Sequence, residues 1–174
     1  RLGSNVQGKM VTALKMIGAD YVFDTTFGAD LTVMEEANEL VNRIKTGSRL
    51  PMFTSCCPSW VKFCEMFYPE YLSYLSTCKS PISMMGSIIN NYFCKINNLS
   101  RDDIISIAIV PCTSKKAEIL KYKDIDLAIT TRELAKYLKK KKINIAKLKD
   151  SSYNSLLGRG SGSGFIFGSS GGVT

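Results

Sequence analysis

The chain reads as an α/β fold with largely parallel sheets flanked by helices. Three observations predict it. Short apolar runs alternate with segments of helical periodicity along the chain. The run Ile104–Val110 is apolar on both faces, as a strand covered on two sides is. Finally, Cys57 and Cys112 each follow the end of an apolar run, at the edge where parallel sheets collect ligands.

Taken in order, Val6, Met10, Ala13, Leu14 and Ile17 recur at helical spacing, and Gly18 follows as a stop. Tyr21–Asp24 reads as a short buried strand. Asp30 is placed to cap a second helix running to Lys45, with Leu31, Met34, Leu40 and Ile44 near its buried side and Gly47 ending it. Leu50–Phe53 is a second strand. Pro58 opens a helix to Phe67, since its missing N–H costs nothing in a first helical turn. The segment from Tyr71 to Lys79 is irregular or a short helical turn. Ser80-Pro81 opens another helix that turns Met84, Met85, Ile88, Ile89, Tyr92 and Phe93 toward a core and breaks at Asn97-Asn98. After the strand 104–110, Asp126–Ile129 is a further strand and Thr131–Lys141 a further helix. From Asp150 onward glycine and serine dominate, with strand character over Gly164–Gly168.

The 174 residues suffice for one domain with a sizeable core. No apolar run approaches the ~20 residues of a membrane helix. No secretory signal is visible. The chain opens at Arg1 and stops at Thr174 directly after a glycine-rich run, so both ends read as cuts and a fragment is expected. There is no histidine, which removes Ser-His-Asp and Cys-His catalysis and zinc–histidine sites. The six cysteines include an adjacent pair and point to a reducing compartment, with thiolate chemistry suited to iron–sulfur clusters or zinc. The formal charge of +8 gathers near Lys139–Lys142. No aromatics interleave with that run, so it reads as a solvated helix end rather than a nucleic-acid surface.

Chemistry concentrates in three places. In Thr54-Ser55-Cys56-Cys57-Pro58-Ser59-Trp60, neighbouring side chains of an extended segment point apart. Cys56 and Cys57 can therefore serve two places, one thiolate on a cluster and the other facing a separate cavity, or else they are two small core residues before a helix. A helix starting at Pro58 aims its N–H groups at the thiols and favours thiolate. In Pro111-Cys112-Thr113-Ser114-Lys115-Lys116-Ala117-Glu118 a thiol leaves a strand with a lysine three residues on. Glu36, Glu39 and Arg43 share one helical face, either as a proton line or as a solvated ion-pair stripe. The glycines between 158 and 172 lack the ending of a phosphate loop, so nucleotide binding is not expected.

Together, Thr54–Trp60 and Pro111–Glu118 resemble the first two signatures of iron-only (FeFe) hydrogenases. Asn5–Met10, Phe23-Asp24, Asp30–Thr32, Leu75–Pro81, Thr130–Leu134 and Ile166–Gly168 fit the same catalytic domain in order. The resemblance implies a partial iron-only hydrogenase catalytic domain over residues 1–174. It implies a 4Fe-4S cluster joined through a thiolate to a two-iron subcluster, with Cys57 and Cys112 as two of four cluster ligands. The other two are expected beyond Thr174, in a third signature this chain does not contain, and the fragment alone is expected to be inactive. Cys56 matches the thiol that passes protons, with a route outward through water to Glu39, then Ser76, then Glu36, and Arg43 beyond. Lys115 matches the residue that holds a cyanide ligand, and Glu118 its acidic neighbour. Pro81, Val110 and Phe167 match pocket-lining positions, although the family commonly has methionine where Val110 stands. Cys64, Cys78 and Cys94 match no ligand position and are expected in the core. The implied partners are a ferredoxin-like electron carrier and maturation proteins that insert the two-iron subcluster, with neither nucleic acid nor membrane. The implied place is the cytoplasm or the hydrogenosome of an anaerobic eukaryote. A hydrogenase-like iron–sulfur protein of the cytosolic cluster-assembly type is the alternative, which typically lacks the proton-passing cysteine. A sensory member and a metal-free binding module are the others.

Overall fold

The structure is a computed structural model that describes residues 5–158 and 160–169. Its centre is a parallel pair of strands, β1 (Ile107–Val110) and β2 (Leu127–Thr130), in register from Ile107 opposite Leu127 to Val110 opposite Thr130. The helices before the sheet are α1 (Gln7–Met16), α2 (Thr26–Thr46), α3 (Pro58–Phe67) and α4 (Pro81–Ile88). A π turn over Ile89–Phe93 and the single turn α5 (Cys94–Ile96) prolong α4. Between β1 and β2 lies α6 (Ser114–Tyr122), and α7 (Thr131–Lys140) and α8 (Gly162–Ile166) follow.

Alternation along the strands builds three layers. Val110 and Ala128 face one side, where they pack with Ile119 of α6 and Ile125. Ile109 and Ile129 face the other, against Leu134 and Leu138 of α7 and Ala13 of α1. Thr130 closes a capping box with Glu133, which sets the start of α7 directly at the end of β2.

Several elements differ from the reading of the sequence, each for a local reason. Tyr21–Asp24 is irregular, because the backbone of Val22 exchanges hydrogen bonds with Asn154, at 2.9 and 2.8 Å, and so has no sheet partner. Helix α2 begins at Thr26, and Asp30 lies inside it. The Asp30 carboxylate instead accepts from the Ser161 amide, from Ser161 Oγ at 2.8 Å and from the Gly164 amide at 2.7 Å. It thereby caps α8, so Gly164–Gly168 starts in helix rather than strand. The strand 50–53 shrinks to one parallel bridge between Phe53 and Leu75. β1 begins three residues later than Ile104, since the Ser106 amide is taken by Asp126 Oδ2 at 2.7 Å. The α6 helix is an element the sequence reading did not assign.

The buried stripe of α2 is also not the expected one. Met34 and Ile44 are exposed, while Ala29, Thr32, Glu36 and Arg43 are buried. With half-buried Glu39 these residues follow spacings of three and four along one face. Of the glycine-rich stretch, residues 159 and 170–172 lie outside the described residues.

Candidate functional site

Both cysteine loops stand at the amino ends of helices. Cys57 is the N-cap of α3, in extended conformation with Pro58 at the first helical position. Cys112 sits between the end of β1 and the start of α6. Lys115, in the first turn of α6, reaches across and donates to the carbonyl of Cys56 at 2.6 Å. That bond puts the two loops on the same side of the molecule. Cys57 and Cys112 are both exposed, while Cys56 is half-buried.

The thiol environments divide accordingly. Ser114 Oγ lies 2.9 Å from Cys112 Sγ, and this hydrogen bond draws its pKa down against partial burial, helped by the amides of Lys115 and Ser114 and by the Lys115 charge. The pKa of Cys56 is pushed up, first by burial and then by the charge of Glu36, against the pull of Lys115. Cys112 is thus biased toward thiolate and Cys56 toward thiol, a division suited to a ligand and a proton donor.

Lys115 also donates to Glu118 Oε2 at 2.6 Å. The other Glu118 oxygen accepts from Ser80 Oγ and from Ser83 Oγ at 3.3 Å. Glu118 is buried and fully paired, so the ammonium is held in place with its positive charge partly offset. Ser80 is the N-cap of α4 and Pro81 its first residue, which ties that helix start to the site.

The stripe on α2 continues from Cys56. The charge of Glu36 acts on Cys56, and its Oε1 is buried without a hydrogen-bond partner. Burial pushes the Glu36 carboxyl up, opposed by the Ser76 hydroxyl and the Ser55 amide and reinforced by Glu39. The Ser76 hydroxyl donates to Glu39 Oε2 at 2.9 Å. Glu39 Oε1 accepts from Arg43 Nε at 3.0 Å and from Nη2. Arg43 spends its remaining donors on the carbonyls of Arg49, Tyr74 and Leu75. The spatial order is therefore Cys56, Glu36, Ser76, Glu39, Arg43. The expected route placed Glu39 next to Cys56 and Glu36 beside Arg43, and the geometry reverses the two carboxylates. With Glu36 and Arg43 buried, the stripe is not a solvated ion-pair row.

The remaining expected positions are placed as follows. Val110 is wholly buried in the core with Ile119, Ile125 and Ala128. Phe167 ends α8 and is half-buried there. Cys64 and Cys94 are core residues, but Cys78 is not. Its thiol lies 3.7 Å from Glu39 Oε2 and its amide 3.1 Å from Ser76 Oγ. Cys78 and Thr77 belong to the Glu39 environment, and their adjacency to Ser76 was the available signal.

Among the described residues no group of three or more His, Cys, Asp or Glu side chains converges as a metal site. The donor set nevertheless fits a share of an iron–sulfur centre, with two exposed thiols on one side and a cation between their loops. Among the described residues no helix is long and apolar enough to cross a membrane.

Comparison with known proteins agrees with this geometry. The chain matches the family described as iron only hydrogenase large subunit, C-terminal domain, over residues 1–174. It is 48% identical over 178 residues to iron hydrogenase 1 of Clostridium pasteurianum, covering 98% of this chain and 31% of that protein. It is 31% identical over 162 residues to cytosolic iron-sulfur assembly component 3 of Bos taurus, covering 85% of this chain and 34% of that protein. A solved apo [FeFe]-hydrogenase from Chlamydomonas reinhardtii superposes with a TM-score of 0.82 at 37% identity, over 90% of this chain and 42% of that one. The chain thus spans about a third to two fifths of the length of these relatives. The match along all 174 residues, with an α/β fold of the same shape, makes this chain a member of the iron-only hydrogenase large-subunit family, within its C-terminal domain.

Proposed function

We propose that the protein carrying this chain is a hydrogenase that reversibly reduces protons to hydrogen. The reading takes its electrons from a ferredoxin-like carrier. It rests on one observation above the others, the alignment of Cys56 and Glu36 with the hydrogen-bonded set Ser76, Glu39 and Arg43 along one helical face.

The chain's own residues divide the work. Cys57 and Cys112 would hold a 4Fe-4S cluster as two of its four thiolate ligands. Once bound, that cluster and its linked two-iron subcluster would store electrons and supply an open iron. Lys115 presents an ammonium that Glu118 and the Cys56 carbonyl fix in position, which suits an anionic ligand in a dry pocket. Cys56 keeps its proton because burial disfavours the thiolate, so it can hand a proton over and take it back. Glu36 is the carboxyl placed to exchange with it, and Ser76 links the buried end of the line to the outer one. Maturation proteins that insert the two-iron subcluster belong to the same reading.

The second reading is an iron–sulfur protein of the cluster-assembly type, or a sensory member, without significant turnover. Similarity to the bovine assembly component favours keeping it. The full-length, cofactor-loaded protein separates the two. Cys56→Ala is expected to lower hydrogen evolution by about 10²–10⁴-fold while the iron–sulfur absorbance persists. Unchanged evolution in the variant, or no evolution in a wild-type protein with intact absorbance, overturns the hydrogenase reading. If Cys57→Ala and Cys112→Ala both keep the cluster absorbance, the metal reading falls as well.

A further inference from the structure

The two carboxyls of the stripe are built in opposite ways. Glu39 Oε1 accepts two bonds from the Arg43 guanidinium. Glu39 Oε2 accepts from Ser76 Oγ at 2.9 Å, the Thr77 amide at 3.0 Å and Thr77 Oγ1 at 3.2 Å, and faces the Cys78 thiol at 3.7 Å. Every one of these groups can act as a donor, so together they favour the charged form. Glu36, one turn earlier on the same face, is buried with one carboxyl oxygen unpartnered. An ionised carboxylate is costly there, and a protonated one is not.

We infer that Thr77 and Cys78 are positioning residues which, with Ser76 and Arg43, hold Glu39 as a carboxylate at rest and leave Glu36 as the carboxyl that retains a proton. The inference deepens the hydrogenase reading and rests on it for its purpose, but the clamp itself is a property of this chain. The fixed anion lies where solvent reaches the line. Glu39, Thr77 and Cys78 border a recess that Asn38, Asn42 and Arg49 also line. A carboxylate held there draws protons to the entrance and passes them on without retaining them, and Ser76 connects it to the site that retains one.

The other ionisable groups around the pair are few. Cys56 faces Glu36 from the loop before α3, with Lys115 on its carbonyl. Cys78 faces Glu39 from the segment before α4, and Arg43 faces it from α2. Glu35 and Arg49 stand at the recess. Helices α4 and α8, which pack against α2, carry no ionisable side chain. No second cation competes for Glu39, and none among these groups pairs with Glu36.

Infrared titration of the carboxyl bands, on the full-length protein without cofactor, tests the inference apart from turnover. Two midpoints are expected, the higher lost in Glu36→Gln and the lower lost in Glu39→Gln. In the Glu36→Gln background, Thr77→Val and Cys78→Ala are each expected to raise the Glu39 midpoint by about 0.5 pH or more, since each removes a donor to the anion. Cys78→Ser, which keeps a donor, is expected to restore it. Reversed assignments, or a single shared midpoint, overturn the inference. An unmoved Glu39 midpoint in either variant, with an intact circular dichroism spectrum, overturns that residue's part. Because the readout needs no iron, a failed clamp and a failed hydrogenase reading give different results.

Discussion

Glu36 and Glu39 sit one turn apart on α2, yet folding acts on them in opposite directions. Burial holds the Glu36 carboxyl above its usual range. The folded state therefore binds that proton more tightly than the unfolded chain, whose glutamates titrate at about 4.3. The stabilisation is complete below that value and is lost as pH rises through the folded midpoint. Glu36→Gln is thus expected to gain on wild type in urea midpoint between pH 4 and pH 7. Glu39 reverses the sign. Burial raises its pKa, but bonds from Ser76, Thr77 and Arg43 prevail and lower it. Its contribution is present above the unfolded value and fades as pH falls through the folded one. Glu39→Gln is expected to cost about 1.5–3 kcal/mol at pH 7, the worth of bonds to a charged group, and much less near pH 3. Equal urea midpoints for wild type and Glu39→Gln at pH 7 would contradict this. The spacing of Glu36, Glu39 and Arg43 was legible in the sequence as one helical face. The order along it was not, because periodicity fixes a face but not which end meets Cys56. That depends on the loops at 55 and 76, which the chain brings up from distant positions.

At the scale of elements, capping and close approach decide the geometry around α2. Asp30 holds the start of α8 through Ser161 and Gly164, and these bonds lower its pKa against burial. Asp30→Ala is expected to cost about 0.5–2 kcal/mol, as other lost caps do, and to speed amide exchange across 162–166 first. Exchange that stays unchanged there would remove Asp30 from that role. Gly28 allows α2 and α4 to meet, since a Cβ on it would run into the Pro81 carbonyl and Met85. Gly28→Ala is expected to destabilise by about 1–3 kcal/mol, in spite of alanine's better helix propensity, because backbone cannot yield as a flexible side chain would. Helix starts with local chemistry were readable, as at Pro58, Pro81 and Thr131. What escaped was structure set from a distance. Tyr21–Asp24 has the composition of a strand, but Asn154 takes its hydrogen bonds. Gly164–Gly168 has strand-like residues, but an aspartate 134 positions away from Gly164 caps it as helix.

For the whole molecule, the parallel pair β1–β2 lies between two hydrophobic layers. Alternating side chains send Val110 and Ala128 to the α6 layer, and Ile109 and Ile129 to the α7 and α1 layer. The α/β class was legible because alternation of apolar strands and helices survives local errors. The extent of the sheet was not, since whether Leu50–Phe53 forms a ladder or one bridge depends on the partner it finds at Leu75. Cys112 leaves the carboxyl edge of this sheet with Cys56 tied to its loop through Lys115, and α7 also starts at that edge. Its ten residues place Lys139 and Lys140 about 15 Å along the helix from the capping box at Thr130. The layering has a thermodynamic consequence. Ile119→Val trims the first layer and should cost about 0.5–1.5 kcal/mol, while Leu134→Ala opens the second and should cost about 2–5 kcal/mol. Ile119 and Leu134 belong to different clusters with no member in common, so the double variant is expected to lose the sum within about 0.5 kcal/mol. Denaturant unfolding of the four proteins measures it. A coupling well above that would mean that the strands transmit strain between the faces, and the cysteine edge would then respond to packing on the far side of the sheet.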